Sequence, residues 1–435
     1  MPGVPSGRRC EACRKQKKKR RFKFTEPSKY ESDSSTPPKT QKTCVKAELS
    51  RSRSPSSLCS APSNELSVVA QSFLETIKPS TGHRYNLVWT YGGFLEYVPS
   101  RIGTNAALDA SVAALTEVHS NICNGTRATT STLAKYSKAL SSLRTTLNDP
   151  VVACASETLA AVMILSICQG FLDGARDCSL SHTRGMAQII KARGTFQDPH
   201  DPFENQLLLT VRGPVVMEAL WNSDIDFAES EWQDLVSNHL QNSDAAPVGN
   251  FMSCLARVPL FIRRGMAWCR DPMLLQDVTA AFETIHLARV EWRDRFANVQ
   301  QELLDGKAGT HSLLQAQFVL CRLYAFCLAI SIIIGCVLGG VSPDYPGLEE
   351  DADACAIEIL RLAQIATRYR PLGGSVITIC LGVAWIGTHN VALRAALESS
   401  WKDYMRDLSV VGDIESSISD LEMLEKKWRL VHICS

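Results

Sequence analysis

Hydrophobic positions change their rhythm once along this chain. Before residue 66 apolar side chains are sparse and follow no period; from Leu66 onward they recur at steps of three and four, the spacing that lays them along one face of an α-helix. Leu133, Tyr136, Leu140, Leu143 and Leu147 form one such stripe and predict a helix that ends near Asn148 with these five residues inward. Asp149-Pro150 then supplies an N-cap and a first-turn proline for a helix through Leu159, Val162, Met163, Leu165 and Ile167. That helix is apolar nearly all round, so it belongs at the centre. A third is expected from about Ser179 to Arg193, with Met186, Ile189 and Ile190 inward, Lys191 and Arg193 near its negative end, and Gly194 placed to stop it.

The same logic extends to the C-terminus. Val278, Phe282, Ile285, Trp292, Phe296, Val299 and Leu303 make another stripe, with Arg289, Glu291, Arg293 and Asp294 expected in solvent. Asp413 caps a last helix lined by Ile414, Ile418, Leu421, Leu424, Trp428 and Val431. No stretch alternates as a half-buried strand does, and no repeat of fixed period is present. The expected fold is therefore all-α over residues 66–435. Leu323 to Leu338 is an unbroken run of apolar or small residues flanked by Arg322 and Gly339-Gly340. A membrane span needs roughly twenty such residues. The run predicts a buried core helix, and no membrane partner is expected.

Residues 25–65 are rich in Ser, Pro, Thr and Lys and cannot bury enough apolar surface to offset their ordering entropy, so they read as a disordered linker with a candidate phosphorylation site at Ser54-Pro55. Charge separates what lies on either side. Residues 1–24 hold ten Lys/Arg and one Glu within a chain of net charge +1, so a strongly basic arm is joined to a net acidic body. That polarity suits a nucleic-acid or nuclear-import segment tethered to an interaction domain. The 16 cysteines form no disulfide framework and often sit inside apolar runs, which points to reduced intracellular thiols and an idle Asn124-Gly125-Thr126 sequon.

The arm reads Arg8-Arg9-Cys10-Glu11-Ala12-Cys13-Arg14-Lys15-Gln16-Lys17-Lys18-Lys19-Arg20-Arg21. Two cysteines at metal-ligand spacing run into a dense basic block. Two readings stand: a small zinc-nucleated helix whose basic residues meet phosphates and base edges, or a solvated basic tail or nuclear-import signal that happens to hold two cysteines.

Cys10-x-x-Cys13 and the basic hexad after it resemble the first half of the fungal zinc binuclear cluster (Zn2Cys6), in which six cysteines hold two zinc ions and a short helix enters the major groove. The resemblance implies Cys10 and Cys13 as zinc ligands, Lys17 as a base-contacting residue, and Arg14, Lys15, Lys18, Lys19, Arg20 and Arg21 as further DNA contacts. The chain departs from the family where Arg20 stands at the place of the third cysteine, so a complete two-zinc cluster does not form. Cys10, Cys13, Cys44 and Cys59 on one zinc, a degenerate arm acting through charge alone, or a chain whose second half-cluster is lost remain as alternatives. A second resemblance lies in Tyr136-x-x-Ala139-Leu140, Ala160-x-x-Met163-Ile164-Leu165 and His182 to Gly194, which are similar to the helical regulatory region of the same transcription factors.

Other chemistry leaves little trace. Cys178 and His182 stand four apart but lack further ligands for zinc, and the resemblance gives His182 a packing or capping role. Gly339-Gly340 and Gly373-Gly374 lack the pattern of a phosphate loop, no Gly-x-Ser-x-Gly turn is present, and Glu349-Glu350-Asp351 suit the positive end of a helix. An enzyme is not expected. The resemblance implies a nuclear, DNA-binding transcription regulator of RNA polymerase II genes, acting as a homo- or heterodimer and with a small-molecule ligand for the helical domain. The alternative is a nuclear helical interaction protein that has lost DNA reading and works by dimerising with a partner.

Overall fold

The computed structural model describes residues 64–77, 82–172, 179–194, 200–220, 222, 224–237, 246–267, 272–306, 310–408, 422 and 425. The chain divides into two units, Met1–Cys59 and Ser60–Ser435, and every described residue belongs to the second. Among the described residues the fold is all-α, with no strand.

The first half carries α1 (Glu65–Ile77), the one-turn helices α2 (Leu87–Tyr91) and α3 (Phe94–Tyr97), α4 (Ala106–Cys123), α5 (Thr130–Thr146), the single turn α6 (Pro150–Ala153), α7 (Ser156–Leu172), α8 (Ser179–Arg193) and α9 (Pro202–Ala219). After α10 (Glu229–Ser237) and α11 (Ala246–Ala267) come the long helices α12 (Pro272–Leu304) and α13 (Thr310–Val341), then α14 (Leu348–Ala366), α15 (Ser375–Gly387) and α16 (Val391–Leu408). In the first group α4 lies against α1, α5 and α7, while α8 packs on α7 and α9. In the second, α13 is enclosed by α12, α14 and α15, with α16 behind. One continuous apolar core runs through both groups.

Local chemistry explains most boundaries. Asn105 caps α4 by accepting from the backbone N–H of Ala107 and Leu108, and its amide reaches Thr158 Oγ1 on α7 at 2.9 Å. Asp149 caps as expected, accepting from Val151 and Val152, but the turn it opens closes at Ala153. The central helix starts afresh at Ser156. It is α7, buried on all sides as its composition requires. Gly194, at φ 74°, ends α8 in the left-handed conformation that glycine adopts without cost. Three acidic residues occupy the first turn of α14, where the helix dipole favours them.

Two sequence expectations are corrected. The stripe on α5 is only partly its buried face: Leu143 is buried and Tyr136 packs against the core as expected, but Leu133, Leu140 and Leu147 are exposed, and Thr132 and Ala139 take the other inward positions. Close approach of α5 to α4 and α7 selects small side chains there, so the larger leucines turn outward. On α12 the apolar stripe is correctly placed through Val278, Ile285, Trp292 and Phe296, but Arg289 is not in solvent. It pairs with Asp351 on α14 at 2.6 Å and donates to Cys355 Sγ and Ser331 Oγ.

The Leu323–Leu338 run sits within α13, the one helix among the described residues long and apolar enough to cross a membrane, and 67% of its most apolar window is buried by neighbouring helices. Packing against it is tight: a Cβ on Gly387 of α15 would come within 2.2 Å of Ile332 Cγ2. The last expected helix, from Asp413, lies outside the described residues, where only Glu422 and Glu425 are placed.

Candidate functional site

Every residue to which the sequence assigns DNA or zinc chemistry, Cys10, Cys13, Arg14, Lys15, Lys17, Lys18, Lys19, Arg20 and Arg21, lies outside the described residues, as do Cys44, Cys59, Ser54 and Cys178. Among the described residues no three His, Cys, Asp or Glu side chains are arranged to hold a metal ion. His182 is buried on α8 with Nε2 at 3.1 Å from the Tyr136 hydroxyl of α5, and burial lowers its pKa, so it rests as a neutral ring tying two helices together. The described cysteines are free thiols, and burial raises those on α7, α13, α14 and α15 out of the reactive range, to about 11 for Cys336 and Cys355.

Two polar centres interrupt the apolar body. The first gathers where the 3-10 turn Val98–Arg101, α7, α8 and α9 meet. Arg193, the last residue of α8, is turned inward with no exposed side-chain surface; Nη2 donates to the Glu204 carboxylate and, at 3.0 Å, to Ser156 Oγ. Arg101 joins it, bridging Glu157 at 3.0 Å and Asp201 at 2.7 Å with its guanidinium over the Phe203 ring. Asp201 also caps α9, accepting from Phe203 N. The Asp201-Pro202 start of α9 therefore presents Glu204 to Arg193 one turn later. Burial lowers the Arg193 pKa while Glu204 and Glu157 oppose the shift. Two cations face three carboxylates, so this centre is electrically compensated and closed. Lys191, in the last turn of α8, points outward instead and donates to Asp226 O at 2.7 Å.

The second centre lies where α2, α7, α13 and α15 converge, on Arg322 of α13. Nη1 donates to the backbone oxygens of Thr90 at 2.9 Å and Trp89 at 3.3 Å, and the guanidinium stacks over Phe318 at 5.0 Å. Nε is sealed from water without a hydrogen-bond partner. Tyr91 stands beside it, its ring edge-on to Phe171 at 6.3 Å, and its hydroxyl makes no hydrogen bond among the described residues. Thiols complete the surroundings: burial pushes Cys321 up to about 12, and pushes Cys168 and Cys380 up as well. Burial lowers the Arg322 pKa, and no described carboxylate lies against it to compensate. A partly buried cation is held here with no carboxylate beside it among the described residues.

Towards the surface this centre continues into an aromatic group. Trp89 stacks on His83 at 5.0 Å and meets His311 edge-on at 5.1 Å, and burial and then His311 lower the His83 pKa. Alongside, Arg84, Gln364, Ile365, Thr367 and Arg368 line an open cleft of about 520 Å³. Gly373 belongs to this packing: a Cβ there would lie 2.7 Å from both Phe318 and Tyr369. Sequence reasoning used Arg322 only as the flank of an apolar run. The signal was available, since Phe318, Val319, Ala325 and Phe326, at the helical neighbours of Arg322, include no acid to pair with it.

No family model, curated protein or solved structure matches the chain.

Proposed function

We propose that this chain is a nuclear transcription regulator that meets DNA through residues 1–24 and carries its regulatory interactions on the all-helical body. The observation that carries the reading is in the sequence: Cys10-x-x-Cys13 runs directly into Arg14, Lys15, Lys17, Lys18, Lys19, Arg20 and Arg21, ahead of a net acidic remainder. An all-α body joined to such an arm supports it. With Arg20 in place of the third cysteine, the arm attracts DNA mainly by releasing counterions from phosphates, and base discrimination is weak.

The test is duplex binding by the full chain at two salt concentrations, with and without residues 1–24. The expected outcome is similar affinity for unrelated duplexes, a fall of roughly 10³-fold or more between about 50 and 200 mM salt if six or more phosphates are contacted, and no binding after deletion. Strong preference for one sequence, with about one zinc per chain that disappears on replacing Cys10 or Cys13, would instead establish an ordered zinc module. Absence of binding even at low salt would overturn the DNA reading.

One observation favours a second reading, in which the chain acts by pairing with a partner. Leu133 and Leu140 on α5 and Leu147 at its C-cap are exposed one heptad apart, a single apolar row on the outward side of the helix. Under this reading a chain lacking residues 1–24 keeps its promoter occupancy once a foreign import signal is supplied.

A further inference from the structure

We propose that the cleft lined by Arg84, Gln364, Ile365, Thr367 and Arg368 binds the phosphate group of a small phosphate monoester. The first observation is how its two arginines are held. Arg84 stands in the 3-10 turn His83–Tyr85 and Arg368 in the 3-10 turn Thr367–Tyr369 that follows α14, so two guanidiniums reach one cleft from separate elements. Each is fixed by a neutral acceptor: Arg84 Nε donates to Arg370 O at 2.6 Å, and Arg368 Nη1 donates to Gln317 Oε1 at 3.2 Å. Neither makes an ion pair among the described residues, whereas Arg361 on α14 pairs with Glu358, and Arg370 pairs with Asp403 and Asp407. A single unpaired arginine on an open surface needs no explanation. Two that share a cleft, each tied down through one donor with its charge left open, are what an anion requires.

Charge and size then select the ligand. The lining holds two cations and no acid, against which the negative end of α14 counts for only about half a charge. A carboxylate carries one charge, and its two oxygens saturate a single guanidinium fork. A phosphate monoester carries about −1.5 to −2 charges near neutral pH and offers three oxygens, enough for both arginines. The rest of the lining suits an ester better than the bare ion. At about 520 Å³ the cleft falls within the size range of small-molecule sites and far exceeds one phosphate. Ile365 supplies an apolar wall for the body that carries the phosphate, and Gln364 supplies an amide. Thr367 gives its hydroxyl proton to Gln364 O at 2.7 Å, which leaves the arginines and that amide as the donors. The site uses neither zinc nor residues 1–24, so its failure would leave the DNA reading untouched.

Thermal unfolding of the full chain at constant ionic strength tests it, with phenyl phosphate, inorganic phosphate, a phosphoserine peptide, acetate and chloride as probes. Phenyl phosphate should raise the midpoint along a saturating curve, because a ligand bound only by the folded state stabilises it by mass action. Inorganic phosphate should need a higher concentration, and acetate and chloride should give no saturable rise. Arg84→Gln and Arg368→Gln should each raise the half-saturating concentration of phenyl phosphate roughly tenfold or more, the worth of a hydrogen bond between charged groups. Both side chains are exposed, so these variants keep the fold. Arg144→Gln, which removes an exposed arginine of α5 outside the cleft, should leave half-saturation unchanged. An equal response to acetate or chloride, a half-saturation unmoved in either cleft variant, or one moved as far by Arg144→Gln would each overturn the proposal. Inorganic phosphate binding as tightly as phenyl phosphate, or the phosphoserine peptide binding more tightly, would overturn the assignment to a small ester.

Discussion

Arg193 and Arg322 are both drawn in among apolar helices, and the protein surrounds the two guanidiniums in opposite ways. Around Arg193 the carboxylates arrive from two helix starts, Glu157 in the first turn of α7 and Asp201 and Glu204 at the opening of α9, so helix capping and charge compensation share the same residues. Around Arg322 the neighbours are the middles of α7, α13 and α15, where sequences apolar on all faces supply thiols and rings but no acids. The surfaces reverse the pattern. On α12 the large apolar side chains at Ile285, Trp292 and Phe296 are covered, while on α5 Leu133 and Leu140 face outward. Charge is settled internally where helices begin. It is left open where they cross at mid-length.

The largest expected effect comes from removing the compensation. Glu204→Gln leaves the Arg193 guanidinium buried with a neutral partner, and should cost about 3–5 kcal/mol in urea unfolding, the usual consequence of breaking one side of a buried pair. Arg193→Met with Glu204→Leu should recover most of that loss, because no unpaired charge is then left inside. A double mutant no better than Glu204→Gln would mean that the pair stabilises through geometry rather than through mutual neutralisation.

Acid titration separates the regions next. His182 and His119 have pKa values lowered by burial, so the unfolded chain takes up their protons more readily than the folded one. Their contribution to stability is complete above the unfolded value near 6.5 and is lost as pH falls through the lower folded values. Stability should decline in that window with a slope of up to about 1.4 kcal/mol per pH unit for each proton taken up. His182→Gln, able to keep a bond to the Tyr136 hydroxyl, should flatten the slope measured by urea midpoints. An unaltered slope would show that His182 takes up its proton equally in the folded and unfolded chain.

Smaller still is the effect expected at the uncompensated centre. Arg322→Met exchanges two bonds to the α2 carbonyls for relief of an unpaired buried cation, and its stability should lie within about 1 kcal/mol of wild type or above it. A loss comparable to that of Glu204→Gln would erase the contrast between the regions. It would mean that Arg322 already has its counter-charge within the chain.

How far this was legible in the sequence follows the same division. The buried helix α7, the stop at Gly194 and the acidic start of α14 could be read because each depends on residues adjacent in the chain. The inward face of α5 could not, since periodicity gives the spacing of a stripe but not which neighbour is close enough to demand Ala139 in place of Leu140. Arg289 was misplaced for a related reason: its partner Asp351 belongs to a different helix, and an isolated cation on an amphipathic stretch looks solvated until the fold supplies the acid. The candidate centre at Arg322 failed to register because its chemistry is an absence, the lack of a carboxylate, which gains meaning only once burial is known.

The smallest effect on stability should come from the outward face of α5, and it bears most directly on what the chain does. Leu140 is 37% exposed and Leu133 is 50% exposed, so Leu140→Ser removes little packing and should change the unfolding free energy by no more than about 0.5 kcal/mol. If this face pairs with another helix, the same substitution places a hydroxyl at the middle of a heptad seam, where burial without a partner costs about 1–3 kcal/mol. A fold left intact and an association weakened roughly five- to hundredfold in sedimentation analysis is then the expected combination. The flanking charges set a further condition. Lys135 and Lys138 lie on α5 while their acidic partners Glu117 and Glu65 come from α4 and α1, so the helix is basic along its length. A partner helix should therefore be acidic at its margins, and association should weaken as salt is raised. Association insensitive to both Leu140→Ser and salt would assign pairing to another surface and leave the α5 leucines as ordinary exposed residues.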